Sequence, residues 1–489
     1  MYNPSSAQKT LDFGLPFSGK LLADNRWVKL ANEIPWAKIE AKYAKNFTKE
    51  GPPAKPLRVA LGALIIQTKC NYTDEETVEQ IRENPYLQYF IGFTEYTVEK
   101  PFDSSLMVHF RKRITAEMLC DINDMMFTSK KESPSDDSDD HDKSSGSSSS
   151  GDNKSCNKEE KKHGKLILDA TCAPADIRYP TDVSLLNEAR EKLEDIIDTL
   201  HQPLKGIEKK PRTDRKKARK EYLSIAKLRK WTAKKVRKAV GKQLTYVKRN
   251  LKSVDYLLTK VDYNLLSTKQ KHDLEVIRKL YSQQQYMYQN KEHRVDNRIV
   301  SINQPHVRPI VRGKQKAEVE FGAKVAVSLV DGYAFVDYLN WNNYNESSTL
   351  KDAVENYHKR FGYYPEAILA DTIYRTRENI NYCKQLGIRL SGPKLGRPST
   401  AISKELRKIE YLDSCKRNAI EGKFGEGKRS YGLQRIMARL KETSETVIVM
   451  QFFVMNLGRK LQVLFAQFFE ALFQRFFMLD LPSFAYINC

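Results

Sequence analysis

Three carboxylates that lie far apart in the chain could do chemistry together: Asp169, Asp371 and Glu421. Each aspartate ends a short apolar run, Leu166–Leu168 or Ala367–Ala370, and such runs are typical of buried β-strands. The carboxyl ends of parallel strands meet at one edge of a sheet, where ligands bind in open α/β folds. An aspartate in this position can equally cap a helix or shape a turn, and for a single residue that alternative is the commoner one.

Glu421 is predicted to lie on a basic helix, with Arg417 one turn before it and Lys428 two turns after it. Three neighbouring carboxylates would repel one another unless cations lay between them, and carboxylate oxygens suit Mg²⁺ or Mn²⁺. Two such ions about 3.5–4 Å apart can hold the attacking and leaving oxygens of a phosphoryl transfer. We therefore expect a site with two divalent ions held by the three carboxylates. Arg417 and Lys428 would hold the phosphodiester.

The charge of the chain predicts a polyanionic partner. Lys and Arg number 83 against 61 Asp and Glu, which gives a net charge of +22. Nucleic acid is the first candidate and an anionic membrane surface the second. Between Lys205 and Arg249, 19 residues are basic and 3 are acidic. We interpret this segment as a contact surface for phosphates, and the alternative is a solvated helical face.

The cysteines and the N-terminus indicate a cytoplasmic protein. None of the seven cysteines forms a CxxC pair, so neither a disulfide framework nor a zinc ribbon is indicated. The N-terminus lacks the pattern of a signal peptide. The apolar, Phe-rich stretch 445–479 is interrupted by polar residues such as Asn456 and Arg459, so we expect a helix that covers the sheet or a partner and does not span a membrane.

The N-terminal region is predicted to be helical. Thr73 should be the N-cap of a helix, with Glu76 reaching back to complete a capping box. Short helices with tight joints, and Arg111 and Arg113 on the last of them, suggest a DNA reader like a helix-turn-helix. An ordinary helical bundle with a solvated basic face explains the same pattern.

The predicted order of elements is a strand with Asp169, a helical insertion, a hairpin at Asp331-Gly332, a helix, a strand ending at Asp371, a helix, a short strand, and the helix with Glu421. This order predicts an α/β fold with an RNase H-like mixed sheet flanked by helices. The chain should divide into a helical DNA-binding domain (1–130), a disordered linker (131–163), a catalytic domain (164–182 and 298–440), a basic helical insertion (183–297) and a C-terminal apolar helix (441–489).

With the segment RNAIEGKFGEGK, the three carboxylates resemble the DDE transposases of bacterial insertion sequences. Within them, the chain is similar to the group whose last motif is Y-x2-R-x3-E-x6-K. Arg417, Glu421 and Lys428 match this motif, whereas Ser414 stands in the place of its Tyr. Glu426 is the alternative to Glu421, but it lacks the Arg and Lys flanks at the spacing of the group. The stretches DATCAPADIRYPTD and ILADTIYRTREN and the N-terminal run YTDEETVEQIRENPYLQYFIGF are also similar to this family.

The resemblance implies a transposase that binds the terminal inverted repeats of its element, nicks them to free 3′ hydroxyls, and joins these to target DNA. It implies Mg²⁺ or Mn²⁺, two ions per site, a homodimer on DNA and a location at the nucleoid. The residues expected to bind DNA are Arg417, Lys428, Lys423, Lys394, Arg397, Arg111 and Arg113. Two other functions stay open, namely a nuclease of the same fold without strand transfer and a non-catalytic DNA-binding relic.

Overall fold

The computed structural model describes residues 16–46, 54–128, 162–311, 319–393 and 404–477. The predicted linker, apart from Lys162 and His163, lies outside these residues. The N-terminal region is helical, as predicted, and its α-helices are α1 (Arg26–Glu33), α2 (Trp36–Tyr43), α3 (Leu57–Cys70), α4 (Asp74–Glu83), α5 (Pro85–Phe90), α6 (Leu106–Arg113) and α7 (Ala116–Phe127).

Helix α4 begins at the predicted cap, but only half of the capping box forms. The Thr73 hydroxyl accepts a hydrogen bond from the Glu76 amide at 3.1 Å. The Glu76 carboxylate does not reach back to the cap. Instead it accepts a hydrogen bond from the Gln80 side chain, one turn further along the helix, at 2.9 Å. One side chain thus satisfies one of the free amides at this helix end.

The sheet has the mixed topology predicted for an RNase H-like domain. Its strands are β1 (Lys165–Pro174), β2 (Arg308–Val311), β3 (Val319–Val330), β4 (Tyr333–Asn340), β5 (Ala367–Leu369) and β6 (Arg389–Leu390). Strand β1 lies in the middle, antiparallel to β3 on one side and parallel to β5 on the other, and β6 continues the sheet parallel to β5. Strands β2 and β4 both pair antiparallel with β3. Strands β1 and β5 therefore lie side by side.

Two connections show how local sequence shapes the sheet. Asp331 and Gly332 both have positive φ, 50° and 84°, as a two-residue hairpin turn between twisted strands requires. Strand β2 was not predicted, because the segment from Arg298 to Lys314 reads as irregular and contains prolines. It forms because the start of the long β3 offers a free edge, and Pro309, which has no amide hydrogen, is tolerated on an edge strand.

The insertion between β1 and β2 is helical and has a core of its own. Its helices are α8 (Asp182–His201), α9 (Arg215–Ala226), α10 (Ala233–Leu258) and α11 (Thr268–Asn290). Side chains such as Leu193, Val247 and Ile277 form a buried cluster separate from that of the sheet. The basic segment 205–249 thus folds as α9 and most of α10, each with a narrow apolar face turned inward.

The remaining helices flank the sheet: α12 (Leu350–Phe361), α13 (Arg377–Gln385), α14 (Lys404–Ser430) and α15 (Lys441–Phe477). Helix α15 packs against β4 and against α3, α6 and α7, so the N-terminal helices and one face of the sheet share a single core. By length and composition Lys441–Phe469 could cross a membrane, but 67% of its most apolar window is buried inside the structure. This helix covers the sheet, one of the two roles expected for it.

Two buried polar clusters join the N-terminal helices to the sheet. Asn456 of α15 donates to Asn123 of α7 at 2.8 Å and accepts from the Ala334 amide of β4 at 2.8 Å. Arg360 of α12 forms ion pairs with Asp337 of β4 at 2.7 Å and with Asp124 of α7 at 3.1 Å. Apart from Asp124, whose side chain is 35% exposed, these groups are buried, so their pairing satisfies charges and dipoles that water cannot reach.

Candidate active site

The sequence predicts that the first strand ends at Asp169, but this prediction is wrong, since β1 continues to Pro174. The reason is its antiparallel partner: Asp169 lies opposite Val327 of β3, and the pairing continues to Pro174 opposite Gly322. Along its other edge, β1 pairs with β5 only from Lys165 to Ile167. Asp169 therefore lies in the middle of β1. At this position β1 is paired with β3 on one side, but β5 no longer pairs with it on the other.

The register of the parallel pair brings Asp371 to the same place. Lys165 lies opposite Ala367 and Ile167 opposite Leu369, and the same offset sets Asp169 against Asp371, two residues past the end of β5. Neighbouring strands are about 4.8 Å apart. The Asp371 carboxylate also caps the turn that follows by accepting a hydrogen bond from the Thr372 amide at 2.7 Å. Asp371 thus both caps the turn and lies at the sheet edge, so the two roles considered for it do not exclude each other.

Helix α14 brings Glu421 to this edge. The helix packs against β1 and β5, and the buried residues Ile420 and Phe424 anchor it in the core. Arg417, one turn before Glu421, lies between two of the carboxylates: its Nη1 is 4.0 Å from Asp371 Oδ1 and 3.9 Å from Glu421 Oε1. Asp371 and Glu421 are therefore no further apart than the sum of these two distances. The structure brings the carboxylates of β1, the β5 end and α14 to one edge of the sheet.

The electrostatic environment of Asp169 disfavours its charged form. Burial raises the pKa of Asp169 from 3.8 to about 6, and the charges of Glu346 and Asp371 act in the same direction. A hydrogen bond from the Ala170 amide at 2.8 Å and the guanidinium of Arg417 act in the opposite direction. A partly buried carboxylate at a sheet edge, whose pKa is raised by burial and by neighbouring like charges, is typical of functional sites.

The three carboxylates fit a divalent cation in their chemistry. Among the residues that the structure describes, no group of three or more His, Cys, Asp and Glu is close enough to hold an ion. The side chains of Asp371 and Glu421 are 53% and 56% exposed, so packing does not prevent their rotation toward an ion. A set of carboxylate oxygens open to water is the ligand set that Mg²⁺ and Mn²⁺ prefer.

One carboxylate at this edge was missed by the sequence reasoning. Glu346 lies in a 3₁₀ turn before α12 and is among the charges that raise the pKa of Asp169. Its carboxylate pairs with Lys324 of β3 at 2.9 Å. No apolar run or basic flank marks this residue in the sequence. The one feature of the sequence that could have indicated Glu346 is its position between the β3–β4 hairpin and α12.

The other predicted site residues have different surroundings. Lys423 pairs with Glu426, the alternative third carboxylate, at 3.1 Å, and its side chain is only 10% exposed. Lys428 is half-buried on α14. Lys394 and Arg397 lie outside the described residues.

In the N-terminal region, the two arginines at the end of α6 differ. Arg111 is 13% exposed and is held by Asp74 at 2.6 Å and by Gln67 at 3.0 Å. It ties α6 to the start of α4, which leaves little of its guanidinium for DNA. Arg113 is exposed.

Two family models match the chain. The model described as the transposase DDE domain matches residues 368–458, from β5 into α15, and includes Asp371 and Glu421 but not Asp169. The model described as a transposase domain (DUF772) matches residues 16–113, which end with α6.

An uncharacterised protein, ORF8 in the nfe locus of Rhizobium meliloti, is 39% identical over 87 residues, which cover 18% of this chain. The chain spans 42% of that relative's length. No solved structure matches. Two separate segments of this polypeptide are thus similar to transposase domains.

Proposed function

We propose that this protein is the transposase of an insertion sequence, which binds the terminal inverted repeats and catalyses metal-dependent DNA cleavage and strand transfer. The observation that carries the proposal is the shared edge of the sheet. Asp169 and Asp371 lie on one register of β1 and β5, and Arg417 connects Asp371 to Glu421. The two transposase family matches support the same reaction class.

Asp169, Asp371 and Glu421 would hold the divalent ions, two per site. When bound, such ions offset the charge on the attacking and leaving oxygens of a phosphodiester. The chain's own residues arrange the site around them. Asp371 is held at the end of β5 by its hydrogen bond to the following turn, and α14 holds Glu421 and Arg417 one turn apart. No residue of the chain needs to form a covalent intermediate, because water and then a 3′ hydroxyl act as the nucleophiles.

Arg417 has a second role in this proposal. Its guanidinium lies between Asp371 and Glu421 and offsets their repulsion. If the carboxylates held cations, the Arg417 guanidinium could bind an oxygen of the phosphodiester. A planar guanidinium suits this task because it presents several donors to phosphate in a fixed geometry.

The insertion supplies the strongest candidate surface for the DNA backbone. On α9, α10 and their connection, a set of lysines and arginines is exposed and forms no salt bridge within the described part of the chain: Lys216, Lys217, Arg219, Lys220, Lys227, Arg229, Lys230, Lys234, Lys235 and Lys238. Some other basic residues of the segment, such as Arg215 and Arg249, pair with carboxylates inside the insertion. We name the unpaired set the basic hairpin. Exposed cations without acidic partners, clustered on neighbouring helices, are suited to binding phosphates.

The test uses the full chain and DNA that carries the sequences flanking its coding region. With Mg²⁺, labelled end fragments should be nicked at the repeat boundary, and pre-nicked ends should join to a target plasmid. Cutting without joined product would favour the nuclease, and binding without cutting would favour the relic. The same DNA with scrambled ends is the control, since the proposal requires recognition of the repeats.

A further inference from the structure

The turn that carries Glu346 packs against the turn that follows Asp371. Residues Glu346–Thr349 contact Thr372–Tyr374. The buried amide of Asn379 joins them, since its Nδ2 donates to the Ser347 carbonyl at 2.8 Å and to the Tyr374 carbonyl at 2.9 Å. The position of Glu346 relative to the end of β5 is therefore fixed by hydrogen bonds that do not involve its own side chain.

The charges of Glu346 and Asp169 both act on one buried side chain, that of Tyr374. Tyr374 is fully buried, and after burial itself the two charges that most raise the pKa of its hydroxyl are those of Glu346 and Asp169. Lys324, the ion-pair partner of Glu346, lies on β3 opposite Cys172, three residues past Asp169 on β1. Glu346 thus comes to the end of β5 on the turn that precedes α12, whereas Glu421 comes to it on α14.

We propose that Glu346 is a fourth carboxylate of the active site and a ligand of the divalent cations there. This inference rests on the proposed function, because it concerns the same metal site. Its basis is the fixed turn beside Asp371 and a carboxylate that is only 20% exposed without being needed for the fold of the turn. The Glu346 carboxylate lies 2.9 Å from the Lys324 ammonium and offers oxygen donors of the kind that Mg²⁺ and Mn²⁺ prefer.

A purely structural role for Glu346 predicts something different. If it served only to pair the buried Lys324, its removal would lower stability and leave cation binding unchanged, and removal of both partners would restore stability. If it is a ligand, cation binding should fall with or without Lys324. The two roles can therefore be separated by a binding measurement on the free protein.

The experiment measures Mn²⁺ binding to the full chain without DNA, from the electron paramagnetic resonance signal of free Mn²⁺. Glu346→Gln should weaken binding at least tenfold. The double variant Lys324→Met with Glu346→Gln, which leaves no unpaired lysine, should show the same loss. Glu366→Gln is the matched control, since this exposed glutamate directly precedes β5 at the end opposite Asp371. It should bind Mn²⁺ like the wild type.

Asp169→Asn separates this inference from the proposed function. Loss of Mn²⁺ binding in Asp169→Asn but wild-type binding in both Glu346 variants would overturn the role of Glu346 alone. Absence of any Mn²⁺ binding by the wild type, or wild-type binding by Asp169→Asn, would overturn the metal site and the role of Glu346 with it. Circular dichroism of each variant checks that it is folded.

Discussion

The replacement Asp169→Asn should stabilise the metal-free protein while it removes the proposed activity. The asparagine side chain would keep an acceptor for the Ala170 amide, which now donates to Asp169 at 2.8 Å. The replacement would remove a charge that burial, Glu346 and Asp371 all disfavour. Functional sites commonly carry such a conflict between stability and activity.

The magnitude follows from the pKa of Asp169, which is raised in the folded protein from 3.8 to about 6. The folded state binds this proton more tightly than the unfolded state, so the wild type loses stability as the pH rises from 3.8 through 6. Above pH 6 the full difference of roughly two pKa units applies, which is about 3 kcal/mol. Asparagine does not ionise, so the variant escapes this loss. We expect it to be more stable by about 3 kcal/mol at pH 7.5 and by only about 1 kcal/mol at pH 4.5.

The assay is equilibrium unfolding in urea, with EDTA present, at both pH values. Asp352→Asn is the control, because this aspartate is exposed on α12 and its replacement should change stability little at either pH. Added Mg²⁺ should narrow the gap at pH 7.5, since only the wild type keeps all three carboxylates that would bind it. Equal stability of the wild type and Asp169→Asn at pH 7.5 would refute the view that burial and like charges act on this residue.

Three further changes test the fold and the DNA surface. Arg360→Met should lower the free energy of unfolding by about 3–5 kcal/mol, because the buried Asp337 and the partly exposed Asp124 lose their partner, and urea denaturation that shows no decrease would contradict the pairing. Asn456→Leu should lower it by about 2–4 kcal/mol, since the Ala334 amide and carbonyl stay buried without this partner, and an unchanged transition midpoint would argue against that role. Lys234→Gln with Lys235→Gln should weaken DNA binding and reduce the slope of log K against log salt by about 1 for each phosphate that the variant no longer neutralises, whereas Lys359→Gln on α12 should not. Identical slopes for both would exclude this part of the basic hairpin from the DNA interface.

The sequence predicted the parts of the fold that local patterns determine. The hairpin at Asp331-Gly332 was predictable because two neighbouring residues must both adopt positive φ. The pairing of β1 with β5 followed from the order of the elements, and the spacing of Arg417 and Glu421 on a helix put them one turn apart. In each case a short stretch or a simple order of elements carries the information.

Long-range contacts account for what the sequence did not reveal. The length of β1 beyond Asp169 depends on β3, which lies about 150 residues further along the chain. Arg111 looked like a DNA contact on its basic helix, but its partner Asp74 is on another element. Glu346 has no sequence pattern of its own, because its position comes from the packing of two turns.

The most direct test of the shared catalytic edge is a comparison of DNA nicking and DNA binding by the wild type and three single variants, Asp169→Asn, Asp371→Asn and Glu421→Gln. The DNA carries the ends that flank the coding region, and Mg²⁺ is present. We expect each variant to bind this DNA like the wild type and to lose nicking. Wild-type nicking by any one of the three would contradict the claim that these carboxylates form a single reaction centre.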